Sequence, residues 1–403
     1  MQLEQPARPA TGLNQALSEF GGEYAINAFV AFIFAASGPV AIILSVGTRG
    51  GLSESDLASW IFCSFFVNGL ISIAFCLFYR QPLVFFWTIP GTVLVGPALG
   101  HLSFAEVIGA FIATGVLMTA LGLSGWVRRC TEAAPMPIVM AMVAGVFLRF
   151  GTGLVHAVRD DFVIAAPMAL AFIVLSFWKK LERIVPALIG ALVVGIFFML
   201  VFDKYNSGGT ALQFAPPKLY LPAFSWPAMI ELVAPLAITV LVVQNGQGFA
   251  VLSAAGHKPP IGAIAVACGA GSIVTALLGS VSTCLTGPVN AIISSSGEKH
   301  RHYTAGIFVG LLALAFGLLS PLFVRLLLST PPAFIAALGG LAMLRVLQTA
   351  FGVAFGGRFA LGALVTFLVT VADVTIFNIG AAFWGLVIGF GVSWLLERKD
   401  FAP

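Results

Sequence analysis

Three side-chain amides fall within four residues of an otherwise apolar run: Gln244, Asn245 and Gln247. Amides placed in an apolar interior are costly unless they bond one another, the backbone or a ligand. Two other stretches carry hydroxyls and an amide around an adjoining proline and glycine. One holds Thr88, Pro90, Gly91 and Thr92, the other Thr286, Gly287, Pro288 and Asn290. The residues before each break are aromatic, β-branched or hydroxylated, which suits extended chain. The prolines sit where a helix can begin, since a first-turn proline loses no hydrogen bond. Each break therefore reads as a short strand followed by a half-helix. The unpaired N–H groups and positive dipole end of such a helix favour an anion. Ser37 and Gly38 stand in the first apolar run at the place matching the amides. Packing kinks and helix-to-helix amide bonds are the structural alternatives.

Charge inside apolar runs adds further candidates. Arg149 and Arg345 lie far from the ends of their runs, where an ionised side chain marks a functional hypothesis; either would attract an anion or gate its path. Glu231 and Asp373 are the acids best placed to carry a proton, and no carboxylate stands beside either break. The five cysteines are scattered without metal-binding spacing, so no metal and no cofactor is expected. No nucleotide-binding loop, Ser/His/Asp set or paired carboxylates occur, which argues against an ATP-driven pump and against an enzyme.

The elements that must position these residues follow from composition. Apolar residues make up 59% of the 403 and charged residues 9%, far below the charge a water-facing surface carries. Twelve apolar runs, from about 24–46 to 381–396, are long enough to approach the roughly 20 residues a helical span needs. The broken stretches 82–99 and 280–296 are shorter. If both cross, thirteen Lys and Arg fall on one side, including Arg8, Arg128, Arg129, Lys179, Lys180 and Arg183, against Arg49, Arg159, Lys204, Lys218 and Arg325 on the other. If neither crosses, the ratio drops to 10 against 8. Positive loops mark the cytoplasmic side, so fourteen spans with both termini cytoplasmic are expected. Gly38, Leu44, Ser45 and Arg49 match Gly246, Leu252, Ser253 and His257 at one offset. Two seven-span repeats must then be inverted, and paired broken helices in inverted repeats point to a secondary transporter with a mid-membrane site. The fold class is all-α membrane protein, with half-strand, half-helix spans 3 and 10.

The segments QNGQGFAVLSAAGHKPP, TGPVNAI and AALGGLAMLRVLQTAF resemble the benzoate transporter (BenE-type) family over essentially the whole chain. The resemblance implies proton-coupled uptake of benzoate or a similar aromatic carboxylate across a bacterial inner membrane. It also implies the seven-plus-seven fold of uracil and xanthine permeases and sulfate-type anion carriers. In that layout, a tail (1–22) precedes the first repeat (23–202), with core spans at 23–124 and gate spans at 135–202. A linker (203–226) leads to the second repeat (227–397), with core at 227–322 and gate at 331–397. The resemblance further implies elevator-type movement of core past gate and a homodimer through the gate, with lipid as surroundings and no nucleic acid as partner. Uracil-type carriers place an acid in span 8 where Gln244 and Asn245 stand here, and Asn290 is followed by Ala291 and Ile292; both departures argue against a nucleobase. An inorganic-anion or dicarboxylate carrier on the same fold, or an anion channel, is the alternative.

Overall fold

The structure is a computed structural model that describes residues 4–6, 9–127, 135–178, 186–204, 214–215, 218–295, 297–374, 376–377 and 379–401. Arg8, Arg128, Arg129, Cys130, Lys179, Lys180, Arg183 and much of the 203–226 linker lie outside the described residues. Among the described residues, seven helices are long and apolar enough to cross a membrane, and six shorter apolar helices accompany them.

In chain order the helices begin with α1 (Leu13–Glu19), α2 (Gly22–Ala36), α3 (Gly38–Arg49) and α4 (Glu54–Tyr79). Strand β1 (Phe85–Trp87) leads into α5 (Ile89–Ala98), then α6 (Phe104–Ser124), α7 (Met136–Asp160), α8 (Phe162–Phe177) and α9 (Ala187–Val201). A continuous helix α10 (Trp226–Ala254) is followed by α11 (Ile261–Leu277). Strand β2 (Thr283–Leu285) leads into α12 (Gly287–Ile293), α13 (His302–Leu318), α14 (Ser320–Leu328), α15 (Pro332–Ala354), α16 (Ala360–Ala372) and α17 (Ala381–Leu396). The extended chain expected upstream of each Pro/Gly break is present as β1 and β2.

Local chemistry sets the helix ends. Ser53 and Ser103 each form a capping box, with Asp56 and Glu106, at the starts of α4 and α6. Ser37 leaves the helical region at φ −97°, ψ −101°, which divides α2 from α3 ahead of Pro39. Helix α10 contains two π-helical stretches, Met229–Val233 and Thr239–Gln244. Such widened turns shift the register of the side chains that follow and often mark functional sites.

The helices pair α4 with α13, α6 with α11, α7 with α15, and α16 with α17. Glycines permit the first two crossings: a Cβ on Gly69 would lie 2.9 Å from the Gly310 carbonyl, and one on Gly115 would lie 2.8 Å from that of Gly269. Small residues at crossings let membrane helices approach closely where no water-driven hydrophobic effect presses them together. The largest apolar core gathers Trp60, Phe65, Phe86, Trp87, Phe111 and Phe316. A second joins Ile42, Val93 and Leu94 to Met140, Phe147 and Met343, across the boundary between α3/α5 and α7/α15.

The strands cross antiparallel, Phe85 opposite Leu285, Phe86 opposite Cys284 and Trp87 opposite Thr283. Backbone bonds extend the crossing, from Thr88 N–H to the Ser282 carbonyl (2.9 Å) and from Thr286 N–H to the Val84 carbonyl (3.1 Å). A two-stranded ribbon leaves outward backbone groups that a dry interior cannot tolerate unpaired. Side chains fill them. Ser72 Oγ accepts from Phe85 N–H at 2.8 Å, Ser272 Oγ from Thr283 N–H at 3.0 Å, and Asn245 Oδ1 from Leu285 N–H at 2.8 Å. Asn290 accepts from Val84 N–H (3.0 Å) and donates to its carbonyl (3.2 Å).

The N-terminal segment lies on the far end of these helices from Arg49. Glu4 accepts from Gly262 and Ala263 N–H at 2.8 and 3.0 Å at the start of α11, and Glu19 pairs with Arg80 at 2.9 Å.

Replacing Asn290 with Ala strands the Val84 N–H, while the Val84 carbonyl keeps its bond from Thr286, and is expected to cost about 1–3 kcal/mol. Thermal unfolding of the detergent-solubilised protein reads this as a lowered melting temperature; an unchanged one would mean that β1 is held otherwise.

Candidate functional site

At the strand crossing the chain encloses a cavity lined by Phe34, Ala35, Pro39, Phe86, Trp87, Ile89, Thr286 and Val289. Its volume is about 20 Å³, room for about one water. The two half-helices meet it differently. At α5, Thr88 Oγ1 accepts from Gly91 N–H at 3.1 Å and Thr92 Oγ1 donates to the Thr88 carbonyl at 2.9 Å, so its first turn is closed. At α12, the N-cap Thr286 forms no side-chain cap, and its side chain lines the cavity instead. Pro288 has no N–H to contribute. The Trp87 indole N–H is buried without a partner among the described residues.

The expected site residues divide into three groups. Thr88, Pro90, Gly91, Thr92, Thr286 and Gly287 come together at the crossing, with Ser37 and Gly38 nearby at the α2/α3 junction. Gly38 has no space for a side chain because Ala342 and Leu188 pack onto it, and Gln247 lies over Gly287 in the same way. Asn245 and Asn290 are fully buried, and their amides hold strand backbone: Asn245 bonds Leu285, with Cys268 as its second contact at 3.5 Å, and Asn290 bonds Val84. Gln244 closes the second π stretch of α10; it is 7% exposed and forms no side-chain hydrogen bond with a described residue. Of the aromatic side chains near the breaks, Phe34, Phe86 and Trp87 line the cavity, whereas Phe32 packs on Phe65 and Phe316 in the core.

The two arginines separate. Arg149 on α7 forms an ion pair with Asp373 at the end of α16, both about half exposed. Arg345 on α15 is exposed and has no ion-pair partner among the described residues. Glu231 is 5% exposed and pairs with His101 Nε2 at 2.8 Å. Its carboxylate also lies against Gly380, the residue that caps α17. Neither contact has a sequence signature, because the partners lie 130 or more positions away and His101 reads as a helix-end surface residue.

A second buried polar pair sits at the opposite end, where His257 Nε2 meets His302 Nδ1 at 3.1 Å. The repeat alignment that matches His257 to Arg49 was its only signal. Burial first, then the neighbouring His302 and Lys299 charges, push the His257 imidazole down from 6.5 to about 4.

The fold is shared with two solved membrane proteins. The transmembrane domain of a cyanobacterial bicarbonate transporter, BicA, superposes with TM-score 0.59 at 14% identity, covering 97% of this chain and 98% of that one. Murine Slc26a9, an anion transporter solved in the inward-facing state, gives TM-score 0.62 at 13% identity over 98% of this chain and 74% of that one. The chain belongs to the BenE family, benzoate membrane transport protein, whose model matches residues 23–395. Among curated relatives, the benzoate membrane transport protein of Acinetobacter baylyi (strain ATCC 33305 / BD413 / ADP1) is 26% identical over 93% of this chain and 95% of its own length. The inner membrane protein YdcO of Escherichia coli (strain K12) is 28% identical over 91% and 94%. The chain is thus a membrane transporter for anions or small molecules, and not an enzyme.

A histidine with a depressed pKa leaves the folded state with fewer bound protons than the unfolded chain between about 6.5 and 4. Its contribution to stability is therefore complete above about pH 6.5 and lost as pH falls towards 4. After allowance for solvent screening, about 2 kcal/mol is expected to disappear across that window. His257→Gln should flatten the acid limb of a melting-temperature profile; an unaltered limb would place the acid sensitivity elsewhere.

Proposed function

We propose that this transporter takes up benzoate or a related aromatic carboxylate together with a proton. The observation that carries the reading is the open first turn of α12 facing a cavity walled by Phe34, Phe86 and Trp87. Uncapped N–H groups suit a carboxylate, aromatic faces suit its ring, and the matched family is one of benzoate transport. The ring enters when the crossing and the end of α2 part, since the cavity as it stands holds only about one water.

Fourteen spans arise if α2–α3 and α10 each count once, the two strand–helix units each cross, and α14 lies between spans. The pairings of α4 with α13 and of α6 with α11 then exchange under an inverted seven-span repeat, which supports that reading. The core comprises spans 1–4 and 8–11, and the gate comprises spans 5–7 and 12–14, with both termini in the cytoplasm of a bacterial cell. Movement of core past gate carries the substrate, and the exposed apolar faces of α8 and α9 supply a surface for lipid or a second gate.

Glu231, buried against His101 and Gly380, is the better proton carrier, because Asp373 is half exposed and paired with Arg149. Importing an anion alone against an inside-negative potential costs about 2.3 kcal/mol per 100 mV, which a co-transported proton cancels. A second reading, transport of a small inorganic anion, is favoured by the small size of the cavity and by the fold of bicarbonate and Slc26 carriers.

Uptake of labelled benzoate into liposomes holding the purified protein tests these assignments. Saturable uptake that rises with an inward proton gradient is expected. It should vanish in Ala35→Leu, which fills the cavity; Trp87→Phe, losing one donor, should raise KM about five- to tenfold. Glu231→Gln should keep benzoate exchange but lose the response to the gradient. Uptake equal in Ala35→Leu and wild type would remove the crossing as the site, and sulfate or bicarbonate competing better than benzoate would favour the second reading.

A further inference from the structure

The Arg49 end of the molecule holds a larger cavity, apart from the strand crossing, that Glu231 of α10 also lines. It measures about 180 Å³, lies between α3/α5 and α7/α15/α16/α17, and shares no residue with the cavity at the strand crossing. Val46, Val93, Leu94 and Phe150 give it apolar walls. It adjoins a wider hollow of about 640 Å³, and Arg49 and Arg149 line both.

A charge count decides what this space attracts. Every acid that lines either cavity has its own basic partner. Asp373 pairs with Arg149, Glu231 with His101 at 2.8 Å, Asp160 with Arg159 at 2.8 Å, and Asp161 with Lys204 at 2.8 Å. Arg49, in the last turn of α3, has no hydrogen-bond or ion-pair partner among the described residues. His156 adds a second nitrogen base to the wider hollow. The space thus has apolar walls, two acids, Glu231 and Asp373, that are already paired, and one uncommitted guanidinium where it adjoins the wider hollow. Arginine offers a planar donor fork that matches a carboxylate, and apolar cavities of about 150 Å³ accept a benzene ring.

We infer that this cavity is a second, outer binding site for the aromatic carboxylate, with Arg49 holding the carboxylate and Val46, Val93 and Leu94 the ring. It rests on the proposed function for the class of ligand, and not for its location. Substrate held there waits beside the moving boundary between core and gate before it reaches the strand crossing.

Equilibrium binding of labelled benzoate to the full chain in lipid nanodiscs tests the inference. Wild type should bind two equivalents per chain, Arg49→Gln one, and Arg49→Lys should recover part of the second. The KM for uptake should rise about tenfold in Arg49→Gln. Ala35→Leu, inactive in uptake, should keep the equivalent that depends on Arg49, which separates the two sites. If wild type showed no uptake yet retained that equivalent, the transport reading would fail and the outer site would stand. A single equivalent in wild type, or two in Arg49→Gln with its melting temperature intact, would overturn it.

Discussion

Everything at the centre of this molecule depends on one requirement: two short strands at the core of a lipid-facing protein must have all their backbone groups satisfied. Water does so in a soluble protein, and helix or closed barrel does so in most membrane proteins. Here the strands satisfy each other along one edge, and Ser72, Ser272, Asn245 and Asn290 take the groups left over. These four side chains come from α4, α11, α10 and α12, so the crossing also ties both halves of the sequence into a single body. Without them, a strand at this depth would leave several unpaired amides, each costing a few kcal/mol.

The same requirement places two helix starts at the crossing, where the proposed site lies. A helix that begins after a strand, deep in the interior, presents its unpaired N–H groups to whatever space adjoins it. Thr88 closes that opportunity on α5, whereas Thr286 leaves it open on α12. On the proposed function, this asymmetry would let backbone recognise one carboxylate without a buried arginine, whose charge would be costly to move across a membrane. Arginine appears instead at the boundary, where Arg49 and Arg149 are exposed enough to remain hydrated.

Much of this arrangement was legible in the sequence. Pro90-Gly91 and Gly287-Pro288 located both breaks, because an adjoining proline and glycine follow aromatic, β-branched or hydroxylated residues that suit extended chain, and a first-turn proline loses no hydrogen bond. The amides Asn245 and Asn290 were visible as polar groups in apolar runs, but their partners were not. A side chain's hydrogen bond to backbone 40 or 206 positions away leaves no periodicity to read. The π-helical turns that set Glu231 and Gln244 were also hidden, since they depend on packing around α10 and not on residue type. The N-terminal residues read as a polar tail because their composition is mixed; Glu4 and Glu19 find their partners only after α4, α11 and α13 have assembled.

The most direct measurement is a structure of the full protein in lipid with 4-iodobenzoate, whose iodine marks the ring without ambiguity. The ring is expected against Phe34, Phe86 and Trp87, with the carboxylate facing the first turn of α12 and the iodine directed away from it. Iodine absent from the strand crossing under conditions of saturating uptake would contradict the central claim that the crossing builds the transport site.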